Sequence, residues 1–265
     1  MAKIIAIANQ KGGVGKTTTC VNLTASLAAA KKKSLLIDLD PQGNATMGCG
    51  VNKNQIEHGI TEVLLGEVDI KDAIIHQKDI KFDVLPGNGE LTRAEVALLK
   101  KDKREFCLKE AIKKIEKDYD YIFIDCPPSL NMLTVNALVA ANGVIITMQC
   151  EYYALEGLSS LVDTIEQIRK TVNPRLQIEG VLRTMYDTRS LLSKDVTEQL
   201  TLHFGEKLYK TAIPRNIRLA EAPSFGIPAL HYDKKSQGAQ AYLILAGEML
   251  NREKKKQKQP EEAFA

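Results

Sequence analysis

Residues 3–19 read KIIAIANQKGGVGKTTT, and their order decides the fold. The apolar run Lys3–Ala8 has the make-up of a buried strand. A turn holding Gly12, Gly13 and Gly15 follows, and a helix-forming run opens on Lys16. Glycine tolerates positive φ and lets backbone N–H groups close on phosphate oxygens with no Cβ between them. The new helix points the positive end of its dipole at the same place. In the pattern G-x-x-x-x-G-K-[ST], Lys16 reaches the β- and γ-phosphates and the Thr17 hydroxyl binds Mg²⁺. Gly12, Gly13, Val14, Gly15, Lys16, Thr17 and Thr18 are therefore the candidate nucleotide contacts. Two positions depart from the pattern: Gln10 stands where glycine is usual, and a second lysine, Lys11, precedes the glycines. By residue type alone Lys11 is more readily a solvated loop lysine than a ligand.

The bulk numbers set bounds. A chain of 265 residues suits one large α/β domain. Its net charge of +3 does not by itself demand a polyanionic partner. The five cysteines form no C-x-x-C pair, which points to a reducing compartment and away from a disulfide or zinc framework. The four histidines are equally scattered. No apolar run reaches membrane-span length and the sequence opens directly on a strand, so the expectation is a cytoplasmic protein without a signal peptide.

Strands are predicted at Lys3–Ala8, Ser34–Leu39, Phe82–Leu85, Tyr121–Asp125, Val144–Gln149, Ile178–Met185 and Leu208–Ile213. Helices are predicted at Lys16–Ala30, Lys103–Glu116, Leu133–Ala141, Ala154–Thr171, Lys194–Phe204 and Ala239–Arg252. Such alternation builds βαβ units, hence an α/β fold: a doubly wound, mostly parallel sheet with helices on both faces. The near-continuous hydrophobicity of YIFID (121–125) fits a strand buried on both sides. One domain is expected over residues 1–250, with a charged, disordered tail at 251–265.

Acids stand where such a loop needs them. LLIDLDPQGNAT (35–46) carries Asp38 and Asp40 at the end of the second strand, on one side of the backbone if the strand persists that far. An acid there orients an attacking water or binds Mg²⁺ through water. YIFIDCPPSLN (121–131) ends an apolar run in Asp125, at the carboxyl edge where α/β sheets place ligands. Asp125 would hold an Mg²⁺-bound water, and Cys126 reads as a small buried filler.

KGGVGKTT (11–18) is similar to the deviant Walker A motif, K-G-G-x-G-K-[ST], of the ParA/MinD family of P-loop ATPases. The resemblance runs from Lys3 to about Leu250 and includes IPRNIRLAEAPSFGIP (213–228). It implies ATP and Mg²⁺ as cofactors and makes Lys11 the signature lysine that reaches the nucleotide of a partner subunit in an ATP-bound dimer. Catalysis would then rest on Asp40 as the water-positioning residue, Lys16, and Lys11 in trans, with Asp38 in support; CPPSLN (126–131) matches a γ-phosphate-sensing switch. QCEYYALEGL (149–158) resembles a segment near the dimer face, though Gln149–Cys150 stand where many members have proline. Glu151 is thus a candidate cross-subunit contact, or equally an acid stabilising the following helix. The resemblance also sets Pro214 and Asn216 beside the adenine, although a helix cap explains Asn216 almost as well.

The tail offers Phe264 as its one bulky apolar residue beyond Leu250, too little for the amphipathic anchor of a MinD-like membrane ATPase. No cysteine stands in a nitrogenase-type cluster motif, and with the phosphate loop at residue 11 no N-terminal helix-turn-helix is expected. The small, Soj-like ParA branch remains. It implies an ATP-dependent homodimer that binds nonspecific DNA, a centromere-binding ParB-like partner that stimulates slow hydrolysis, and a cytoplasmic, nucleoid-associated location. Arg189 and Arg218 match that branch's DNA-contacting arginines. From Arg183 to Gln240, nine Lys/Arg face six Asp/Glu, an excess of three that is also ordinary for a solvated surface. An ATPase that positions a protein cargo, or one acting on a membrane surface, stands as the alternative.

Overall fold

The structure, a computed structural model, describes residues 1–151 and 154–262, with the side chains of 154–156 and 256–262 left out. Seven strands form one sheet: β1 (Lys3–Ala8), β2 (Ser34–Asp38), β3 (Ile75–Gln77), β4 (Phe82–Leu85), β5 (Tyr121–Asp125), β6 (Gly143–Gln149) and β7 (Gln177–Thr184). Their order is β3-β4-β2-β5-β1-β6-β7, parallel throughout except for β3, which pairs antiparallel with β4 at one edge. The helices are α1 (Lys16–Ala29), α2 (Asn44–Gly48), α3 (Ile60–Leu65), α4 (Ile70–Ala73), α5 (Leu91–Leu98), α6 (Cys107–Ile112), α7 (Met132–Ala140), α8 (Ala154–Thr171), α9 (Leu191–Phe204), α10 (Ile217–Glu221), α11 (Ala229–Tyr232) and α12 (Gln237–Glu262). No helix among the described residues is long and apolar enough to cross a membrane.

The period of two along each strand divides the core. Ile4, Ala6, Leu35, Ile37, Ile122 and Ile124 face one layer, with α3, α5, α6, α7, α8 and α9. Ile5, Ile7, Leu36 and Phe123 face the other, with α1 and α12. Both faces are covered, which is why these strands read as unbroken apolar runs. Burying each of Ile5, Ile7 and Phe123 contributes roughly 1.5–3 kcal/mol.

Three expectations are corrected. Residues 208–213 form no strand: isolated bridges, Val181 to Leu208 and Tyr186 to Pro214, and a few backbone bonds such as Tyr209 N–H to Val181 O and Ile213 N–H to Arg183 O tie this segment to the β7 side without a continuous ladder. Arg183 Nη2 takes the carbonyls of Tyr209 and Lys210, and the Glu248 carboxylate accepts the N–H groups of Lys210 and Thr211. Side chains thus claim the groups a ladder would use. The helix predicted at Lys103–Glu116 shrinks to α6, because Lys103 sits at φ 52 and residues 104–106 form a 3-10 turn. Helix α12 continues through Glu262, where a disordered tail is expected from residue 251. Two residues past Leu250 are pinned to the body. Arg252 Nη2 donates to Leu208 O at 2.8 Å and pairs with Glu248, while Glu253 meets Lys3 Nζ at 2.7 Å.

Candidate active site

Parallel strands β1, β5 and β2 bring their carboxyl ends together, and the candidate residues lie on that edge. The loop between β1 and α1 is held by its own backbone and by two neighbouring strands. Asn9 Nδ2 donates to Thr147 O of β6 at 2.7 Å, and Asn9 Oδ1 accepts Lys11 N–H at 2.9 Å. The Thr184 hydroxyl, at the end of β7, lies 2.9 Å from Val14 O and 3.1 Å from Met148 O. Gly13 and Gly15 take φ of 72° and 79°, a left-handed turn that a β-carbon would strain. Gly15 caps α1 without a side-chain hydrogen bond, and the first turn of the helix holds no acid. The N–H groups of that turn therefore face the loop without an acid of their own turn to cap them, as suits an anion site.

Lys16 is buried, 6% exposed, with Nζ donating to Lys11 O at 3.0 Å. Burial lowers its pKa, and the charges of Asp125, Cys126 and Asp40 oppose the shift. The acids around it form the other half of the site. Asp38 and Asp125 are register partners on β2 and β5, and both are fully buried. Asp38 accepts the Thr46 N–H and hydroxyl, each at 2.7 Å, and the Asp40 N–H at 3.3 Å. Burial nevertheless pushes its carboxyl up to about 6, against the pull of those bonds. Strand β2 stops at Asp38, so Asp40 lies in the turn beyond it, 8% exposed, with Oδ1 accepting Gln42 N–H at 2.9 Å.

Asp125 is the least compensated group. No hydrogen bond of good geometry reaches either of its buried oxygens. The Thr17 hydroxyl faces it closely enough to lower its pKa, but burial first and the Asp38 charge second raise it well above the carboxylate range. Two oxygens left bare beside a threonine hydroxyl and a second acid suit a cation that keeps part of its water shell. That chemistry fits Mg²⁺, with Thr17, Asp125 and Asp40 as the residues to hold it. Burial also pushes the Cys126 thiol up, which suits a filler and not a nucleophile.

The remaining candidates lie further out. Lys11 Nζ pairs with Glu151 Oε2 of its own chain, both side chains half-exposed. Tyr152 and Tyr153 of the neighbouring segment lie outside the described residues. Asn216 precedes α10 but makes no side-chain cap, and its buried Oδ1 has no partner. Pro214, two residues earlier, forms the bridge to Tyr186. Arg189 is 88% exposed and grips Asp187 through Nε at 3.0 Å and Nη2 at 2.9 Å, which holds the Asp187 carboxyl down at about 2. Arg218 pairs with Glu221 at 2.8 Å and Asp233 at 3.3 Å. The supports Asn9, Thr46, Thr147 and Thr184 escape sequence reasoning, because each acts across the sheet and not within a motif.

Residues 2–178 match the family model described as an AAA domain. The chain is 49% identical over 257 residues to the chromosome partitioning protein ParA of Caulobacter vibrioides, with 96% of each chain covered. It is 51% identical over 249 residues to the sporulation initiation inhibitor protein Soj of Bacillus subtilis, covering 94% of this chain and 98% of Soj. Among solved structures, it is similar to cobyrinic acid a,c-diamide synthase from Mycobacterium smegmatis with a bound ATP analogue and magnesium. That likeness has a TM-score of 0.85 and 37% identity over 96% of both chains.

Proposed function

Starting from the membership of this chain in the ParA/Soj family of partition ATPases, which 49% and 51% identity over nearly its whole length show, we propose that ATP switches it between a monomer and a DNA-binding dimer. In this reading it binds Mg-ATP, closes on a second copy, coats duplex DNA without sequence preference and lets go on slow hydrolysis stimulated by a ParB-like partner. The observation that carries the reading is the bare, buried carboxylate of Asp125 facing Thr17 and Lys16. A site so poorly compensated in the protein alone is built to be completed by a ligand.

Each residue then has a task. The glycine turn and the first turn of α1 present N–H groups to the phosphates, and buried Lys16 brings its ammonium to the β- and γ-phosphates. Thr17, Asp125 and Asp40 would hold Mg²⁺, which supplies charge neutralisation to the phosphate oxygens. Asp40, in the turn after β2, positions the water whose oxygen attacks the γ-phosphorus while the bond to the β–γ bridging oxygen breaks. Lys11 leaves Glu151 to reach the partner's γ-phosphate, exchanging a half-exposed ion pair of little net worth for a buried one with greater charge. Asn216, with its Oδ1 unmatched, and Pro214 border the adenine.

Arg189 and Arg218 provide the phosphate contacts, doubled in the dimer. Their ion pairs with Asp187, Glu221 and Asp233 keep the monomer's affinity low, since DNA must compete for each guanidinium. The test is filter binding to random duplex DNA with ATP, with ADP and with Arg189→Ala. Retention that needs ATP, weakens with salt and drops in the variant supports the reading; equal retention with both nucleotides sinks it.

A further inference from the structure

A second surface feature is used neither by the nucleotide nor by Arg189. After α10 the chain makes a 3-10 turn, Ala222–Phe225, and closes it with Gly226 at φ 66°. A β-carbon on Gly226 would come within 2.8 Å of Gly50 Cα, so this turn is fixed against the body of the protein. The result is a Phe225 ring left 64% exposed. It does not stand alone. Its centroid lies 4.8 Å from that of Tyr232, with the planes tilted by 30°. Tyr232 is in turn anchored: its hydroxyl donates to Glu221 Oε2 at 3.2 Å, and the Arg218 guanidinium lies 5.9 Å from its ring centre. Ring, ring and guanidinium form one preorganised stack whose outer face is open.

Charge indicates what that face is for. Between Pro214 and Lys235 stand four cations, Arg215, Arg218, Lys234 and Lys235, against two acids, Glu221 and Asp233. Both acids are engaged by Arg218, and no ion pair among the described residues engages Arg215, Lys234 or Lys235. An exposed aromatic and arginine cluster also marks protein interfaces. Three cations of the same stretch that no ion pair engages, two of them within three residues of Tyr232, favour a polyanion instead. A duplex keeps its bases stacked inside and offers such a ring nothing but backbone. Unpaired bases present their π-faces, and positively charged grooves with aromatic platforms are how proteins hold them.

We propose that Phe225 and Tyr232, backed by Arg218, stack unpaired bases of a single-stranded nucleic acid, with Arg215, Lys234 and Lys235 on its phosphates. This goes beyond the duplex-binding reading, with which it shares Arg218, since the rings act without Arg189, without ATP and without a second subunit.

The test compares fluorescein-labelled oligothymidylate, oligouridylate and a random duplex of equal length by anisotropy in low salt, all three without nucleotide and the duplex also with Mg-ATP. The wild-type protein should bind the single strands, the tighter of the two naming the natural source. Phe225→Ala should weaken that binding by roughly 5- to 150-fold, the span expected for a lost base–aromatic stack, while ATP-dependent duplex binding stays as it was. Phe225→Trp should keep the affinity and add a reporter: the chain has no tryptophan of its own, so single strands should quench the new fluorescence and duplex should not. Thermal melting checks that both variants fold, as expected for so exposed a position. Absent single-strand binding, an unchanged Phe225→Ala affinity, an equal loss on duplex, or an unquenched tryptophan at saturation would each overturn the proposal. Loss of ATP-dependent duplex binding in the wild type, with single-strand binding intact, would strike the duplex reading alone.

Discussion

Nucleotide-free protein should lose stability as pH rises through the range where Asp38 ionises. Its carboxyl is raised from 3.8 to about 6 by burial, and Asp125 is raised in the same direction by burial and by the Asp38 charge. A folded-state pKa above the unfolded value means that the folded form holds the proton more tightly. The stabilisation is therefore complete below about pH 3.8 and is lost as pH climbs past about 6. A rise from 3.8 to about 6 amounts to about 3 kcal/mol for Asp38 alone, of which roughly 1 kcal/mol falls between about pH 5 and pH 7. Urea unfolding at several pH values in that window measures it, with the wild type set against Asp38→Asn. The variant disturbs the Thr46 bonds and shifts absolute stability, so the slope against pH is the quantity to compare. The wild type should slope downward toward neutral pH and the variant should be flatter. Added Mg-ATP should flatten the wild type too, because a cation at Asp125 compensates the same charges. A flat wild-type profile, or equal slopes in both proteins, would refute the claim that these buried acids are under-compensated.

Further outcomes follow from single contacts. Lys16→Met should lower ATP affinity by roughly 10- to 150-fold in equilibrium dialysis, the worth of a hydrogen bond to a charged group. Asp187→Asn frees the Arg189 guanidinium and should strengthen ATP-dependent duplex binding by roughly two- to fivefold, an effect that 0.5 M salt erases. Truncation after Leu250 removes Arg252, whose guanidinium lies 4.1 Å from the Tyr209 ring centre, and the Glu253 link to Lys3. Urea midpoints should report a loss of about 2–4 kcal/mol; a disordered tail would cost almost nothing.

What was legible in the sequence is what lies together in it. The phosphate loop runs strand, glycines, Lys16, Thr17 and helix without interruption, and Asp38 and Asp125 each close an apolar run, so the three strands that carry the site could be named, though their order in the sheet could not. The parts that hold the loop could not. Thr46 bonds to Asp38 across eight residues and to Gly87 across 41, and Thr184 reaches Val14 across 170. The segment 208–213 has a real strand composition, yet Arg183 and Glu248 take its backbone groups. Helices α2 to α4 have only four to six residues, too few to establish a helical period. Lys11 required the family resemblance, since its pairing with Glu151 leaves it at the surface in a single chain.

The account stands most directly on ATP-dependent dimerisation through Lys11. Sedimentation velocity of a hydrolysis-impaired Asp40→Ala protein with Mg-ATP should show a dimer, and with Mg-ADP a monomer. The same protein carrying Lys11→Ala should stay monomeric with ATP while still binding it. A dimer that forms equally with ADP, or that persists without Lys11, would contradict the switch.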